Sequence, residues 1–186
     1  MLGPVVGVIA LMLWSCAPQQ PWQQVPLTAT GYDNEAQDFG IAPTSAIRTS
    51  NYDAPTPTAI NGAKVVSTAQ LRDMMIQTPA PLVIDVLGGN QTISLPGAIW
   101  LKDAGLGSRL DDGTQAKLGA FLAARTHGDK AAPIVFFCLS RVCWLSHNAA
   151  VRAVALGYSN VSWYRGGRDA WKAAGLPLVA VERTPF

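Results

Sequence analysis

Pro133-Ile-Val-Phe-Phe-Cys138-Leu-Ser-Arg-Val-Cys143-Trp-Leu-Ser146-His-Asn-Ala-Ala150 is the stretch whose reading decides the fold. Its opening run is short, continuously apolar and bounded by Pro133, which describes a parallel strand buried on both faces. A small polar loop follows, and then a pattern rich in Ala, Val and Leu that reads as helix. Cys138 therefore stands where a strand ends and a helix is about to begin. In an open α/β sheet that edge binds ligands, because the helix N-terminus presents free N–H groups and the positive end of its dipole. A thiol placed there has its reactive thiolate form stabilised. The same position also suits a cysteine that is only a small buried hydrophobe.

Outward from this stretch, strands and helices alternate. Toward the N-terminus, Lys64-Val-Val66 reads as a short strand, and Ser67-Thr-Ala-Gln70 matches a capping box that opens a helix through about Gln77. Pro81-Leu-Val-Ile-Asp85-Val86 is a second buried strand whose only polar side chain is Asp85. Ser94-Leu-Pro-Gly-Ala98-Ile-Trp-Leu101 gives a turn and another short strand. Leu118, Phe121 and Leu122 share a helical face between Asp112 and Arg125, with Gly128 as a stop. Toward the C-terminus, the helix after Cys143 runs to Leu156 and ends at Gly157. Asn160-Val-Ser-Trp-Tyr164 reads as the last strand. Gly166-Gly167 then turns the chain into a short helix from Arg168 to Ala174. The expectation is an α/β domain over 59–180, with five short, mainly parallel strands and helices on both faces.

Composition narrows the functional classes. The 186 residues suit one ordinary domain and are too few for two large ones. A net charge of +2, without a basic run, argues against nucleic acid. Three cysteines are too few for a disulfide scaffold or a Cys-rich structural zinc site. Cys138, Cys143 and His147 offer three ligands for copper or zinc without a clear fourth, so no metal is assigned, and no cofactor either.

The segment 1–17 reads as a signal peptide. Its apolar run from Val5 to Trp14 is too short to span a bilayer but fits a leader core. Two processing routes fit. Ser15-Cys-Ala17 offers small residues for ordinary cleavage, and Leu13-Trp-Ser-Cys16 is similar to a bacterial lipobox in which Cys16 carries the lipid. Either route implies export to a periplasm, with a lipid anchor in the second case. The segment 18–58 is rich in Gln, Pro, Thr, Ala and Asn, sustains no period, and reads as a linker or an extended arm. Within it, Tyr52-Asp-Ala-Pro55-Thr-Pro57 suits an extended, docked conformation.

Several pieces together resemble a rhodanese domain: Leu82-Val-Ile-Asp85-Val, Leu95-Pro-Gly-Ala98-Ile, Ile134-Val-Phe-Phe-Cys138, Gly157-Tyr-Ser-Asn-Val161, and Gly166-Gly-Arg-Asp-Ala-Trp171-Lys-Ala-Ala-Gly-Leu-Pro177. More narrowly, Cys143-Trp144 and Asn148-Ala-Ala150, behind an export signal, resemble the PQQ-dependent catabolism-associated CXXCW motif proteins. Those are linked to periplasmic alcohol oxidation by quinoprotein dehydrogenases. Here four residues, Leu139 to Val142, separate the cysteines, where the family name implies two.

The resemblance implies that Cys138 takes a sulfane sulfur as a persulfide and passes it to a small sulfur compound or thiol. It implies a supporting role for the buried Asp85, and a quinoprotein dehydrogenase or cytochrome as partner. Common rhodanese loops carry Arg or Lys just before the helix to hold an anionic donor. The matching place here falls on Cys143, or on Leu145 with another gap. Arg141 is the substitute the loop offers, and Trp144 the residue placed to touch a ligand or partner. Cys143 is near enough to pair with Cys138, either as a resolving thiol or as a permanent staple of the loop. A rhodanese shell kept as a non-catalytic binding module, or a metal-handling accessory protein, are the alternatives.

Overall fold

A computed structural model describes residues 19–186; the expected leader and Cys16 lie outside the described residues. In chain order the elements are β1 (Lys64–Val65), α1 (Thr68–Met75), β2 (Leu82–Asp85), β3 (Ile93–Ser94), β4 (Ile99–Trp100) and α2 (Gly113–Arg125). They continue with β5 (Ile134–Phe137), α3 (Trp144–Ala155), β6 (Val161–Tyr164), α4 (Gly167–Ala173) and β7 (Val179–Ala180). Five strands form one parallel sheet in the order β1-β6-β5-β2-β4. The expected α/β architecture is the one observed.

β5 lies at the centre. Phe136 is in register with Ile84 on one side and Trp163 on the other. All four of its residues are buried, as a continuously apolar strand between two layers of helix must be. Alternation splits the core in two. Ile84, Ile134, Phe136, Cys138 and Trp163 face α2 and α3, meeting Leu118, Leu122, Ala149 and Ala150. Val83, Val135, Phe137 and Tyr164 face α1 and α4, meeting Leu71, Ala170 and Trp171. Each large apolar side chain so buried contributes about 1.5–3 kcal/mol. Thus Cys138 carries its sulfur toward α3.

The helix starts follow from their caps. Ser67 accepts from the Gln70 amide while the Gln70 side chain accepts from the Ser67 amide, the reciprocal capping box. Asp112 caps α2 by accepting from the Gln115 amide. Its other oxygen pairs at 2.9 Å with Arg152, a fully buried cation on α3 that also donates to the carbonyls of Leu106 and Arg109. Among the described residues no helix is long and apolar enough to cross a membrane.

Two details differ from the sequence reading. The segment expected as a turn and one strand is split: β4 joins the sheet, whereas β3 leaves it and pairs antiparallel with β7. Two-residue strands carry no readable period, so their pairing has no sequence signal. Helix α1 also stops at Met75, short of Gln77.

Residues 19–58 lie on the domain as an arm with one 3-10 turn, Pro21–Gln24. Trp22 sits 5.6 Å from Trp171, ring to ring. Glu35 is buried and accepts from the Thr68 amide and hydroxyl. Burial pushes the Glu35 carboxyl above its ordinary value, against those hydrogen bonds.

Candidate active site

The peptide leaves β5 at Phe137 and re-enters helix at Trp144, so the six residues between, 138–143, form the site loop. Cys138 and Cys143 are joined by a disulfide across that loop, with their Cα atoms 6.3 Å apart. Cys143 is the N-cap residue of α3. Both cysteines are almost wholly covered, at 1% and 2% exposure. Inside the loop the Cys143 amide donates to the Ser140 carbonyl at 3.0 Å, closing a turn. The amides of Leu139, Ser140 and Arg141 have no acceptor among the described residues. Three consecutive unpaired donors beside a sulfur centre are suited to an anion.

Two neighbours hold the loop. On one side the first amides of α4 bind its carbonyls: Arg168 donates to Cys138 at 3.1 Å and Asp169 to Leu139 at 3.0 Å. This approach explains Gly167. Its φ is +63°, and a Cβ there would lie 2.6 Å from the Cys138 and Leu139 carbonyl oxygens. A groove of about 350 Å³ borders the loop here, with Ile93, Leu139, Arg168, Asp169 and Lys172 in its lining.

On the other side lies the arm. Asp53 bridges Cys143 in antiparallel fashion; the Trp144 amide donates to the Tyr52 carbonyl and the Ala54 amide to the Val142 carbonyl, both at 2.8 Å. The Thr56 hydroxyl donates to the Arg141 carbonyl at 2.6 Å. Arg165, at the end of β6, is buried and donates to the Thr56 hydroxyl and carbonyl and to the carbonyls of Glu35 and Gln37. On α3, Asn148 exchanges hydrogen bonds with the backbone of Arg48, accepting from its amide and donating to its carbonyl. The first turn of α3, which would otherwise offer its amides to a ligand, is thus partly served by the chain itself.

The remaining expected site residues fall as follows. Arg141 pairs with Asp33 at 2.8 Å and donates to Gln37, so its guanidinium is engaged by the arm rather than offered to a ligand. Trp144 is buried, not exposed for contact: its indole N–H donates to the Pro55 carbonyl at 2.9 Å. Asp85 is buried on the α1/α4 side of the sheet, away from Cys138; it accepts from the Ser94 hydroxyl at 2.6 Å and the Leu87 amide at 3.0 Å. Burial raises its carboxyl above the ordinary value. It braces the start of the loop toward β3. For metal, the disulfide occupies two of the three conceivable ligands, and among the described residues no group of three or more His, Cys, Asp or Glu is placed to hold an ion.

Sequence reasoning missed Arg165, Thr56 and Glu35. A charged residue immediately after a buried strand and before Gly166-Gly167 was the available signal for Arg165; the other two had none. That reasoning offered His147 only as a third metal ligand. That ring is fully buried between Trp144 and Trp163, at 4.8 and 5.1 Å between ring centres, and neither nitrogen has a partner among the described residues. Burial pushes its pKa down to about 4, against a smaller opposing effect of the nearby Asn148 side chain, so the ring is neutral at pH 7. Asn148 is itself committed to Arg48 and Gly105. An unpaired buried N–H costs about 1–3 kcal/mol.

The rhodanese-like domain model matches residues 67–174, from the cap of α1 to the end of α4. The chain belongs to the rhodanese-like domain family. No curated protein sequence matches it. Among solved structures, a thiosulfate sulfurtransferase from Pseudomonas aeruginosa is similar at 17% identity and a TM-score of 0.46, over 65% of this chain and 21% of that one. A polysulfide-sulfur transferase homodimer from Wolinella succinogenes is similar at 15% identity and a TM-score of 0.45, over 63% of this chain and 79% of that one. A yeast protein tyrosine phosphatase of the rhodanese family is similar at 20% identity and a TM-score of 0.47, over 61% and 87%. The first of these proteins is therefore much longer than the region shared with this rhodanese-like domain.

Proposed function

We propose that this rhodanese-like protein handles sulfane sulfur through Cys138, with Cys143 as the resolving thiol. The observation that carries the reading is the pairing of the two sulfurs between the end of β5 and the start of α3. In the reduced state, the Cys138 thiolate attacks the outer sulfur of a donor persulfide, forming Cys138–S–SH and releasing the donor thiol. The Cys143 thiolate then attacks the Cys138 sulfur. The new S–S bond is the disulfide of this structure, and hydrosulfide leaves with the bonding pair. An external dithiol returns both cysteines to thiols. The unpaired amides of Leu139, Ser140 and Arg141 supply donors for the anionic sulfur. Thiosulfate, a dianion, is a poor donor in this scheme because Arg141 is held by Asp33.

The test compares the reduced native chain, Cys138→Ser and Cys143→Ser for persulfide formation. The expected pattern is loss in Cys138→Ser and accumulation in Cys143→Ser. A second reading has its own support: both sulfurs are covered and the arm is seated on the loop, which suits a stapled, non-catalytic binding module. Absence of persulfide and of a reversible disulfide in all three proteins decides for that module.

We place the protein in a bacterial periplasm, as an accessory to PQQ-dependent alcohol oxidation, from the leader-like segment 1–17 and the Cys143-Trp144 and Asn148-Ala-Ala150 pattern. Mass spectrometry of the chain from its native host separates a lipid-bearing start at Cys16 from a start after Ala17. An unprocessed cytoplasmic product removes the proposal. Cross-linking in that host tests for a quinoprotein dehydrogenase or cytochrome partner.

A further inference from the structure

Cys143 is the extended N-cap residue of α3, and His147 stands in the first turn of the helix it opens. Its two walls belong to the same neighbourhood. Trp144 follows Cys143 directly, and Trp163 is in register with Phe136, two residues before Cys138 on the same sheet face. Cys138, Cys143 and Trp163 accordingly share one core cluster. Into this apolar place the chain puts an imidazole with both nitrogens unpartnered among the described residues. Elsewhere in the buried core, polar side chains such as Asn148, Arg165 and Thr68 are densely bonded. With the disulfide closed, the neighbouring sulfurs carry no charge and no S–H, and are poor partners for a ring N–H.

We infer that His147 is a positioning residue for the reduced state, holding the thiolate of Cys143 as an ion pair and so arming it as the resolving nucleophile. The inference rests on the proposed opening of the Cys138–Cys143 disulfide. A dithiol reductant opens it in two exchanges: the first forms a mixed disulfide and frees one cysteine, the second closes the reductant into its own disulfide and frees the other. Two electrons pass to the cysteine sulfurs. Of the two protons the reductant gives up, one stays on Cys138 until that sulfur attacks the donor persulfide, when it passes to the released donor thiol; the other rests on His147, leaving Cys143 as thiolate. A thiolate–imidazolium pair is one known means by which a protein lowers a cysteine pKa.

The groups facing the imidazole favour this assignment. Trp163 approaches from β6 and Trp144 from α3; neither ionises. Arg48 of the arm lies over the Trp144 indole, 5.0 Å from its ring centre. No carboxylate contributes to the titration of the ring: burial lowers its pKa in the closed state, and the neutral side chain of Asn148 opposes that shift. A thiolate newly formed on Cys143, at the cap of the same helix turn, then supplies a negative partner and raises the affinity of the ring for a proton.

The experiment uses the full chain reduced with dithiothreitol, in a Cys138→Ser background that isolates Cys143. The thiolate of Cys143 is followed against pH by its ultraviolet absorbance, with Cys138→Ser/Cys143→Ser as the blank. The expected thiolate fraction at pH 7 is at least about tenfold above that of an ordinary cysteine, and His147→Asn and His147→Phe each abolish the gain. Ring nitrogen resonances of His147 in the native chain provide a readout that needs no His147 variant: neutral when oxidised, protonated at pH 7 once reduced. An unchanged thiolate midpoint in both variants, or a ring that stays neutral after reduction, overturns the inference while leaving the sulfur chemistry intact. A native disulfide that dithiothreitol does not open in the folded chain overturns both readings.

Discussion

The Nε of Arg165 donates to the hydroxyl of Thr56 at 2.9 Å, across 109 residues of sequence. The same hydroxyl donates onward to the carbonyl of Arg141 in the disulfide loop. A relay of two hydrogen bonds therefore runs from the end of β6, through the arm, to the residue midway between the two cysteines. It makes the arm part of the site's architecture. Thr56→Val keeps the shape and removes both bonds, leaving a buried guanidinium donor short of an acceptor. The expected loss of stability is about 1–3 kcal/mol by urea denaturation. Reduction of the disulfide by dithiothreitol should quicken in parallel, because the cover over the loop is loosened. An unchanged reduction rate would mean that the arm does not control access.

Gly167 allows a test of how α4 holds the other side. Gly167→Ala forces a Cβ against the Cys138 and Leu139 carbonyls at a positive φ. The backbone strain alone costs about 1–2 kcal/mol, and relief of the clash must shift the loop. We expect a clearly lowered melting temperature and a changed near-ultraviolet spectrum. Gly113→Ala at the start of α2 meets nothing within 4 Å and serves as the control, with stability unchanged or slightly raised.

Removing the staple has a calculable cost. The cysteines are five apart in sequence, so the chain-entropy gain from closing so small a loop is about 2 kcal/mol. Cys143→Ala should lower stability by that order, and native protein in reducing buffer should match it. A drop twice as large would show that the disulfide also holds the arm in place.

Asp112 and Arg152 provide a pH signature. Burial opposes ionisation of Asp112, but the hydrogen bonds from Arg152 and from the amides of Gln115, Arg109 and Ser108 outweigh it and hold the carboxyl well below the ordinary carboxylate range. With the folded pKa below the unfolded one, the pair's contribution is fully present above about pH 4 and is lost as pH falls below it. Asp112→Asn keeps the cap of α2 and removes the charge. It should cost about 1.5–3 kcal/mol at pH 7, and the gap to the native chain should shrink steadily in denaturation curves below pH 4.

Local pattern carried much of this structure. The apolar run Ile134–Phe137, the capping box at Ser67 and the helix stop at Gly157 each depend on residues within a few positions of one another, and each is legible in the sequence for that reason. From them followed the alternation of strands and helices, the parallel sheet and the place of Cys138 at its edge. Tertiary structure decided the rest. That the arm lies on the loop depends on pairs such as Arg48–Asn148 and Thr56–Arg165, some 100 residues apart. It engaged Arg141 and buried Trp144, both of which look available when only their neighbours in sequence are considered. Asp85 was recognisable as a buried acid, but its partner Ser94 became known only when β3 left the sheet to pair with β7. The isolation of His147 is of the same kind. A side chain's partners are set by which surfaces meet, and a pattern of residue types along one chain segment holds no record of the surface that closes over it.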